Sequence, residues 1–461
     1  MQYNPEDSIE NRIYYLKHHE TYDGSAINKK LYQVMEEIKS NYKTYLPSVE
    51  DAILYTRNIH EGRGLRDLTY SYLYTLQHFI PMKAVFTLYI MVNEKIGSWR
   101  DIRNYCEFLA AEKGRNEIFV RPIICLYNHQ LIKDNAKWKQ VLDEWSLNPS
   151  AKPRPDARDH ISYAAKWVPR ESKGRAWLFD ILVSLYTDPE YKAIRESAKT
   201  PEQVEAATRK CKMMYRKMVS NLNKELDIVE IKQCANKWAE INPDKLSTSQ
   251  MFNGASAFTQ RGTEDRDKCA STFDLAYKTR LELIAKKKYS YNVPVWKLVK
   301  HMARLVQQGK KDEIEAMNLH WESYVENRMK SDPNYYVVMI DISETMSDKQ
   351  LYTAIGMACA TKSHFGKKVL VIGTTPQWVD LSDCEFSVMV QRIMSQFWNK
   401  TAAINDAFKI ILDAVVSAKM TPEDVANMKI QLYSNNTIDY EGISEMWRPF
   451  VLDENNFCQH K

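Results

Sequence analysis

Apolar residues recur at intervals of three and four along most of residues 1–334, which is the spacing of helices that bury one face. Helix-start signals, such as the run Thr200-Pro201-Glu202, precede several of these stretches. The pattern predicts stacked helical pairs of a HEAT-like α-solenoid, without a strict sequence repeat. The predicted helices cover residues 31–40, 49–55, 67–79, 83–94, 102–111, 118–131, 138–145, 175–186, 201–223, 229–241, 266–288, 295–308 and 311–330.

The pattern changes at residue 335, where a continuous run of aromatic and β-branched residues begins. This run, YYVVMI at 335–340, is typical of a buried strand in a parallel sheet. Helix and strand patterns then alternate, which predicts a doubly wound α/β domain. The fold class predicted for the chain is α + α/β, with a helical region at 1–334 and an α/β domain at 335–461. The later predicted elements are helices 349–365, 385–396 and 402–418 and strands 368–372, 378–380 and 429–433.

Charge follows the same division of the chain. The 461 residues carry 64 Lys and Arg against 59 Asp and Glu, a formal net charge of +5. Residues 335–461 hold 11 of the basic and 15 of the acidic residues, so the α/β domain is acidic and the helical region is basic. Only 13 residues are Gly and no glycine-rich phosphate-binding motif is present, which argues against a nucleotide-dependent enzyme.

Cysteine usage and hydropathy indicate the expected compartment. Eight Cys are scattered without a C-x-x-C pair, which argues against a zinc framework or a disulfide scaffold. No apolar run approaches the roughly 20 residues needed to cross a bilayer, and the first residues lack the pattern of a secretory signal. We expect an intracellular, cytoplasmic protein that engages no membrane. No nucleophile–base pair stands out, so we expect no enzymatic activity.

One short motif carries recognisable chemistry. Asp341, Ser343 and Thr345 occupy alternate positions directly after the predicted strand 335–340. In an open α/β sheet this end of a strand is where ligands bind, and a carboxylate with two hydroxyls suits Mg²⁺. The same residues also suit an ordinary strand-to-helix turn, in which a hydroxyl caps the next helix and Asp341 accepts from loop amides.

From residue 335 to about residue 440 the chain resembles a von Willebrand A domain, and the D-x-S-x-T motif resembles the first element of its metal-ion-dependent adhesion site. The resemblance implies a Mg²⁺ site completed by Thr401 and open to a carboxylate of a protein partner. The family has an Asp after the fourth strand where this chain has Asn435, so the site is partly degenerate. Such domains usually continue for two more strands and a helix, so this one is expected to be shortened. Either another chain or the helical region covers one edge of the shortened sheet, or the domain has degenerated.

Five motifs occur in order in the helical region: TRNIHEGRGLRD at 56–67, IGSWRD at 96–101, ISYAAKWVPR at 161–170, YRK at 215–217 and WAEIN at 238–242. They resemble a family in which a Ro-like (TROVE) helical region precedes a von Willebrand A domain, found in plants, fungi, bacteria and large DNA viruses. The resemblance implies a ring of helical repeats, closed by the von Willebrand A domain. Such a ring binds single-stranded ends and helices of small structured RNAs, and the Ro proteins are not enzymes.

Basic side chains at helix starts and in loops are the candidate RNA contacts. Stacked helical pairs would bring them to one rim, near Trp99 and Trp167, and charge combined with aromatic rings is what single-stranded nucleic acid binds. Two alternatives stay open: Arg63, Arg66 and Asp67 also suit ion pairs between repeats, and the tryptophans suit a core. The candidates are Arg57, Arg63, Arg66, Arg100, Lys166, Arg170, Lys173 and Arg175.

Two functions are consistent with these patterns. The first is a non-enzymatic, Ro-like RNA-binding protein of a ribonucleoprotein, whose metal site binds a protein partner. The second is a structural or assembly protein, for example a minor virion or capsid component if the protein is viral, in which the same folds make protein–protein contacts. A basic rim favours the first function, whereas the modest net charge and the degenerate metal site favour the second.

Overall fold

The computed structural model describes residues 5–18, 24–58, 62–149, 153–171, 174–286, 295–331, 335–342, 346–363, 365–396, 403–436 and 457–460. The chain forms two compact units, which cover essentially Tyr3–Ile241 and Asn242–Lys461. The boundary expected from sequence, between residues 334 and 335, lies inside the second unit and stays a prediction. Within the ranges above, no helix is long and apolar enough to cross a membrane.

The first unit contains helices and turns over its described residues. The Asp101 side chain accepts a hydrogen bond from the Ser98 backbone at the start of one helix, and Thr200 forms a capping box with Gln203 at the start of another. Its helices are α1 (Ile9–His18), α2 (Gly24–Glu37), α3 (Tyr42–Arg57), α4 (Arg66–Phe79), α5 (Pro81–Asn93), α6 (Trp99–Lys113), α7 (Val120–Ser146), α8 (Ala164–Trp167), α9 (Ala176–Ser184), α10 (Pro189–Ser197), α11 (Pro201–Glu225) and α12 (Val229–Cys234).

The long helix α7 replaces two predicted helices, 118–131 and 138–145. The residues 132–137 between them include no Gly or Pro, so no helix-breaking residue ends the helix there. Asp134 in this stretch is buried, and its carboxylate accepts hydrogen bonds from the backbone N–H and the hydroxyl of Ser162, at 3.1 and 2.6 Å. The stretch therefore makes an internal contact and is not a loop.

The second unit combines helices with a mixed sheet, so the α + α/β class predicted from sequence is confirmed. Among the described residues, the strands of the sheet lie in the order β3-β2-β1-β4-β5, and of their pairings the β2–β3 pair alone is antiparallel. The strands are β1 (Tyr336–Asp341), β2 (Lys368–Ile372), β3 (Gln377–Asp380), β4 (Lys429–Tyr433) and β5 (Phe457–His460). The helices are α13 (Thr248–Phe258), α14 (Glu264–Ala285), α15 (Val295–Gln308), α16 (Lys311–Ser331), α17 (Asp348–Ala360), α18 (Phe386–Met394), α19 (Ile404–Ser417) and α20 (Pro422–Ala426).

Strand β5 covers the outer edge of β4. It pairs in parallel with β4 from Ile430 opposite Phe457 to Tyr433 opposite His460. From the sequence, another chain or the helical region was expected to cover a sheet edge. At the β4 edge, the covering element is instead the strand 457–460 of this chain. The four residues FCQH carry no alternating apolar pattern, so sequence reasoning had no signal for this strand.

Helices on both faces hold β1 and β4 in register. On one face, Val337 and Met339 of β1 pack in a core with Phe408 of α19. On the other face, α17 lies against α15 so closely that a Cβ on Gly356 would come 2.2 Å from a methyl carbon of Val295. This packing fixes where the carboxyl ends of β1 and β4 lie, and the candidate metal site is at those ends.

Candidate functional site

Asp341 is the last residue of β1 and is fully buried. Its strand lies between β2 on one side and β4 on the other. Strand β1 leads through α17 to β2, whereas β4 comes later in the chain, after α20, so the strand order reverses at β1. In doubly wound proteins, ligands bind at the carboxyl ends of the strands where the order reverses, and Asp341 lies at that end of β1.

Two side chains after β4 hold the Asp341 carboxylate. The hydroxyl of Ser434 donates to Oδ2 at 2.5 Å, and the amide Nδ2 of Asn436 donates to the same oxygen at 2.7 Å. The backbone N–H of Asn436 donates in turn to the Ser434 hydroxyl oxygen at 3.0 Å. We call residues 434–436 the site loop. These contacts orient the carboxylate before any ligand arrives.

The sequence analysis placed Asn435 at the position after the fourth strand where the family has an Asp, but Ser434 and Asn436 are the ones that donate to Asp341. Asn435 is at the surface and exchanges hydrogen bonds with Gln350 at the start of α17, at 2.9 and 3.3 Å. The three polar residues directly after β4 mark this segment in the sequence, but they do not show which of the three faces Asp341.

The other predicted ligands, Ser343, Thr345 and Thr401, lie outside the described residues. The segments that flank them both meet the carboxyl end of β2. The backbone N–H of Ile342 donates to the Ile372 carbonyl at 3.1 Å, and that of Ala403 donates to the Gly373 carbonyl at 3.0 Å. A shallow depression at this end of the sheet is lined in part by Ile342, Gly373 and Thr375. Ile342 and Ala403, which flank the two segments predicted to carry the ligands, therefore lie at the same edge of the sheet.

The chemistry of the described donors fits a hard cation. Asp341 and Ser434 offer a carboxylate and a hydroxyl, which are oxygen ligands of the kind Mg²⁺ prefers. Over the described ranges no group of three or more His, Cys, Asp and Glu side chains could hold a metal ion.

The basic candidates of the first unit divide into two groups, and the first surrounds Asp101. Arg57 is only 3% exposed and pairs with Asp101 Oδ2 at 2.8 Å. Arg66 lies 3.3 Å from Oδ1, and the hydroxyl of Tyr70 donates to that oxygen at 2.7 Å. Burial raises the pKa of the Asp101 carboxyl, but the charges of Arg57 and Arg66 and the hydrogen bonds from Arg57 and Tyr70 outweigh it and lower the pKa below its ordinary value.

These contacts give the Asp101 group a structural role. It joins α3, α4 and α6. Asp101 also caps the start of α6, where its carboxylate accepts a hydrogen bond from the Ser98 backbone N–H at 2.7 Å. Arg66 therefore forms an internal ion pair, as the alternative for Arg63, Arg66 and Asp67 expected, and Arg57, which that alternative did not include, does so as well. Arg63 is also half-buried, and its positive charge opposes the rise that burial causes in the pKa of the Tyr72 hydroxyl.

The second group surrounds Trp167, and we call Arg100, Arg103, Lys166, Trp167 and Arg175 the Trp167 cluster. The ring of Trp167 is half-buried. The guanidinium carbons of Arg100 and Arg103 lie 5.5 and 5.8 Å from a ring centroid of Trp167, and Lys166 Nζ lies 5.5 Å from one. Cations at these distances are attracted to the face of an aromatic ring.

The Trp167 cluster has more positive charge than the carboxylates paired with it neutralise. Lys166 pairs with Glu230 at 2.9 Å, and Arg175 pairs with Glu107. No carboxylate of the described residues forms an ion pair with Arg100 or Arg103. Burial lowers the pKa of the Arg103 guanidinium, and the charges of Arg175 and Arg100 add to this effect, while Tyr127 and Glu107 oppose it. Such a group of like charges favours an anionic ligand.

A buried tyrosine positions the Trp167 cluster. The hydroxyl of Tyr127, which has no exposed surface, lies 2.6 Å from the carbonyl oxygen of Trp99 and 3.0 Å from that of Trp167. It therefore links the start of α6, which carries Arg100 and Arg103, to the end of α8. Sequence reasoning had no local signal for this contact, because Tyr127 lies 28 residues from Trp99 and 40 from Trp167.

The remaining candidates are spread around these groups. Arg170 is exposed in the segment that follows α8, and Lys173 lies outside the described residues. Trp99 is buried in the core of the first unit, as the alternative for the tryptophans expected. Trp167 is therefore the aromatic ring that the structure places among the candidate cations.

Comparisons with known proteins give one distant match. A curated protein that matches is an uncharacterised protein, L728, of Acanthamoeba polyphaga mimivirus, which is 20% identical over 387 residues. The match covers 81% of this chain and 62% of the viral protein, so the chain spans less than two thirds of that relative's length. No family model matches the chain, and no solved structure matches it.

We predict that Arg57→Met lowers the free energy of unfolding of the first unit by about 3–5 kcal/mol, because it removes the main partner of a buried charge. The matched control is Arg209→Met, which removes an exposed arginine paired with Glu205 one turn away and should cost about 0.5 kcal/mol or less. Chemical denaturation, with hydrogen exchange of amides in α3 and α6, measures both variants. Equal stability of the two variants would show that the Asp101 group has no structural role.

Proposed function

We propose that this chain is a non-enzymatic, Ro-like RNA-binding protein whose first unit contacts RNA through the Trp167 cluster. The observation that carries the proposal is the grouping of three cations on one half-buried tryptophan, two of them without a carboxylate in ion-pair contact. The ordered TROVE-like motifs also support it, since Arg100 and Lys166 belong to two of them.

The geometry of the cluster favours RNA phosphates as the first contact. The ring of Trp167 is occupied by cations, so its main effect is to orient the guanidinium groups of Arg100 and Arg103. Arginine binds phosphate through paired, directional hydrogen bonds. The exposed Arg170 extends the positive surface along the same segment. The ligand that fits is a single-stranded or structured RNA whose backbone passes over the cluster.

The second unit is proposed to be a shortened von Willebrand A-like domain that holds Mg²⁺. Its support is the position of the buried Asp341 at the carboxyl end of β1 and the parallel order β2-β1-β4 around it. Asp341, with Ser343, Thr345 and Thr401, would hold the ion, and the site loop would keep the carboxylate in place. The ion, when bound, supplies a positive centre for a carboxylate of a protein partner.

A structural or assembly protein is the second candidate function. It is favoured by the number of predicted RNA contacts that instead pair within the chain, since Arg57, Lys166 and Arg175 all have carboxylate partners. The curated relative is a viral protein, which is the kind of source this alternative expects. Under this reading, the purified protein associates with a shell or complex and carries no nucleic acid.

We predict that Arg100→Gln combined with Arg103→Gln weakens binding of a mixed-sequence, 20-nucleotide single-stranded RNA by about tenfold or more at low salt, because two phosphate contacts are lost. The control combines Lys192→Gln with Arg209→Gln, which removes two exposed charges from α10 and α11. Fluorescence anisotropy measures all three proteins. Equal affinity of the two double variants would contradict the assignment to the Trp167 cluster.

We further predict that Mg²⁺ binding, measured by calorimetry on the wild type, is lost in Asp341→Asn, which keeps the shape of the side chain and removes its charge. The control is Asp348→Asn, an exposed carboxylate at the start of α17 that should leave the heats unchanged. The same heats in the wild type and in Asp341→Asn would refute the metal site.

A further inference from the structure

The site loop follows the last paired residues of the sheet. The β4–β5 ladder ends with Tyr433 opposite His460, so residues 434–436 extend beyond it. Ser434 is nevertheless fully buried. The loop must therefore be held by contacts other than the strand ladder, because buried backbone polar groups need hydrogen-bond partners.

Gln459 of β5 supplies two of these contacts. Its side-chain Nε2 donates to the Ser434 carbonyl at 3.0 Å and to the Asn436 carbonyl at 2.9 Å. A glutamine amide has two N–H groups, so both are used on this loop. The side chain thereby bridges two carbonyls that are two residues apart and sets the spacing between Ser434 and Asn436.

The same two residues donate to the buried carboxylate. Ser434 Oγ and Asn436 Nδ2 both donate to Asp341 Oδ2. A continuous series of hydrogen bonds thus runs from Gln459 through the site loop to Asp341. Changing the Gln459 side chain would alter the donors of a buried carboxylate that it does not touch.

We infer that Gln459 is a positioning residue, through which the last strand sets the site loop against Asp341. Its meaning for ligand binding rests on the proposed Mg²⁺ site, but the positioning itself is measurable without any metal. The test substitution is Gln459→Met, which keeps the length of the side chain and removes both N–H donors. The matched control is Gln431→Met, the same change at a half-buried position of β4, where the side chain accepts only from the Tyr433 hydroxyl among the described residues.

The first readout is hydrogen exchange of the Asn436 amide, whose N–H donates to Ser434 Oγ. We expect exchange about tenfold faster in Gln459→Met than in the wild type, and unchanged in Gln431→Met. Unchanged Asn436 exchange in Gln459→Met would overturn the inference. If that variant fails to fold, Gln459→Asn decides instead, because its shorter amide cannot reach both carbonyls, and the same acceleration is expected.

The second readout is Mg²⁺ calorimetry on the same proteins. We expect about tenfold weaker binding in Gln459→Met and wild-type affinity in Gln431→Met, a difference that a general loss of stability would not produce. A wild type that binds no Mg²⁺ would refute the proposed metal site alone, since hydrogen exchange still decides the positioning role. Wild-type Mg²⁺ affinity in Gln459→Met, together with unchanged exchange, would refute the role of Gln459.

Discussion

One buried carboxylate, that of Asp101, joins three helices of the first unit. It caps the start of α6, pairs with Arg57 at the end of α3 and accepts a hydrogen bond from the Tyr70 hydroxyl of α4. A charge in this environment is stable only while its partners are present, because the energy of removing it from water is offset by them alone. The orientation of the first turn of α6 therefore depends on this group.

That orientation decides what the neighbouring residues of α6 can do. Asp101 points into the core, while Arg100 and Arg103, three residues apart, share another face of the helix. Both reach the ring of Trp167, and the buried hydroxyl of Tyr127 links the Trp167 backbone carbonyl to that of Trp99 at the start of α6. One short stretch of chain thus provides an internal ion pair and, one position away, cations that are available to a ligand.

Local patterns predicted the elements better than they predicted the contacts. The strands 368–372 and 429–433 agree with β2 and β4, because the continuous apolar run of β2 and the alternating apolar positions of β4 are both typical of strands. The pairing of Arg57 with Asp101, 44 residues apart, has no local signal, so arginines of both groups looked alike in sequence. At the end of β4 the sequence pointed to Asn435, whereas its two neighbours, Ser434 and Asn436, donate to Asp341. Strand β5 was missed because four residues of mixed polarity carry no periodicity.

The central claim is that the Trp167 cluster binds RNA through phosphates, and the salt dependence of binding tests it most directly. Two to four cations of the cluster can each release a counterion from single-stranded RNA. We therefore expect a slope of about −1.5 to −3 when the logarithm of the association constant is plotted against the logarithm of the salt concentration. A slope near zero, or no binding to RNA at low salt, would contradict the account.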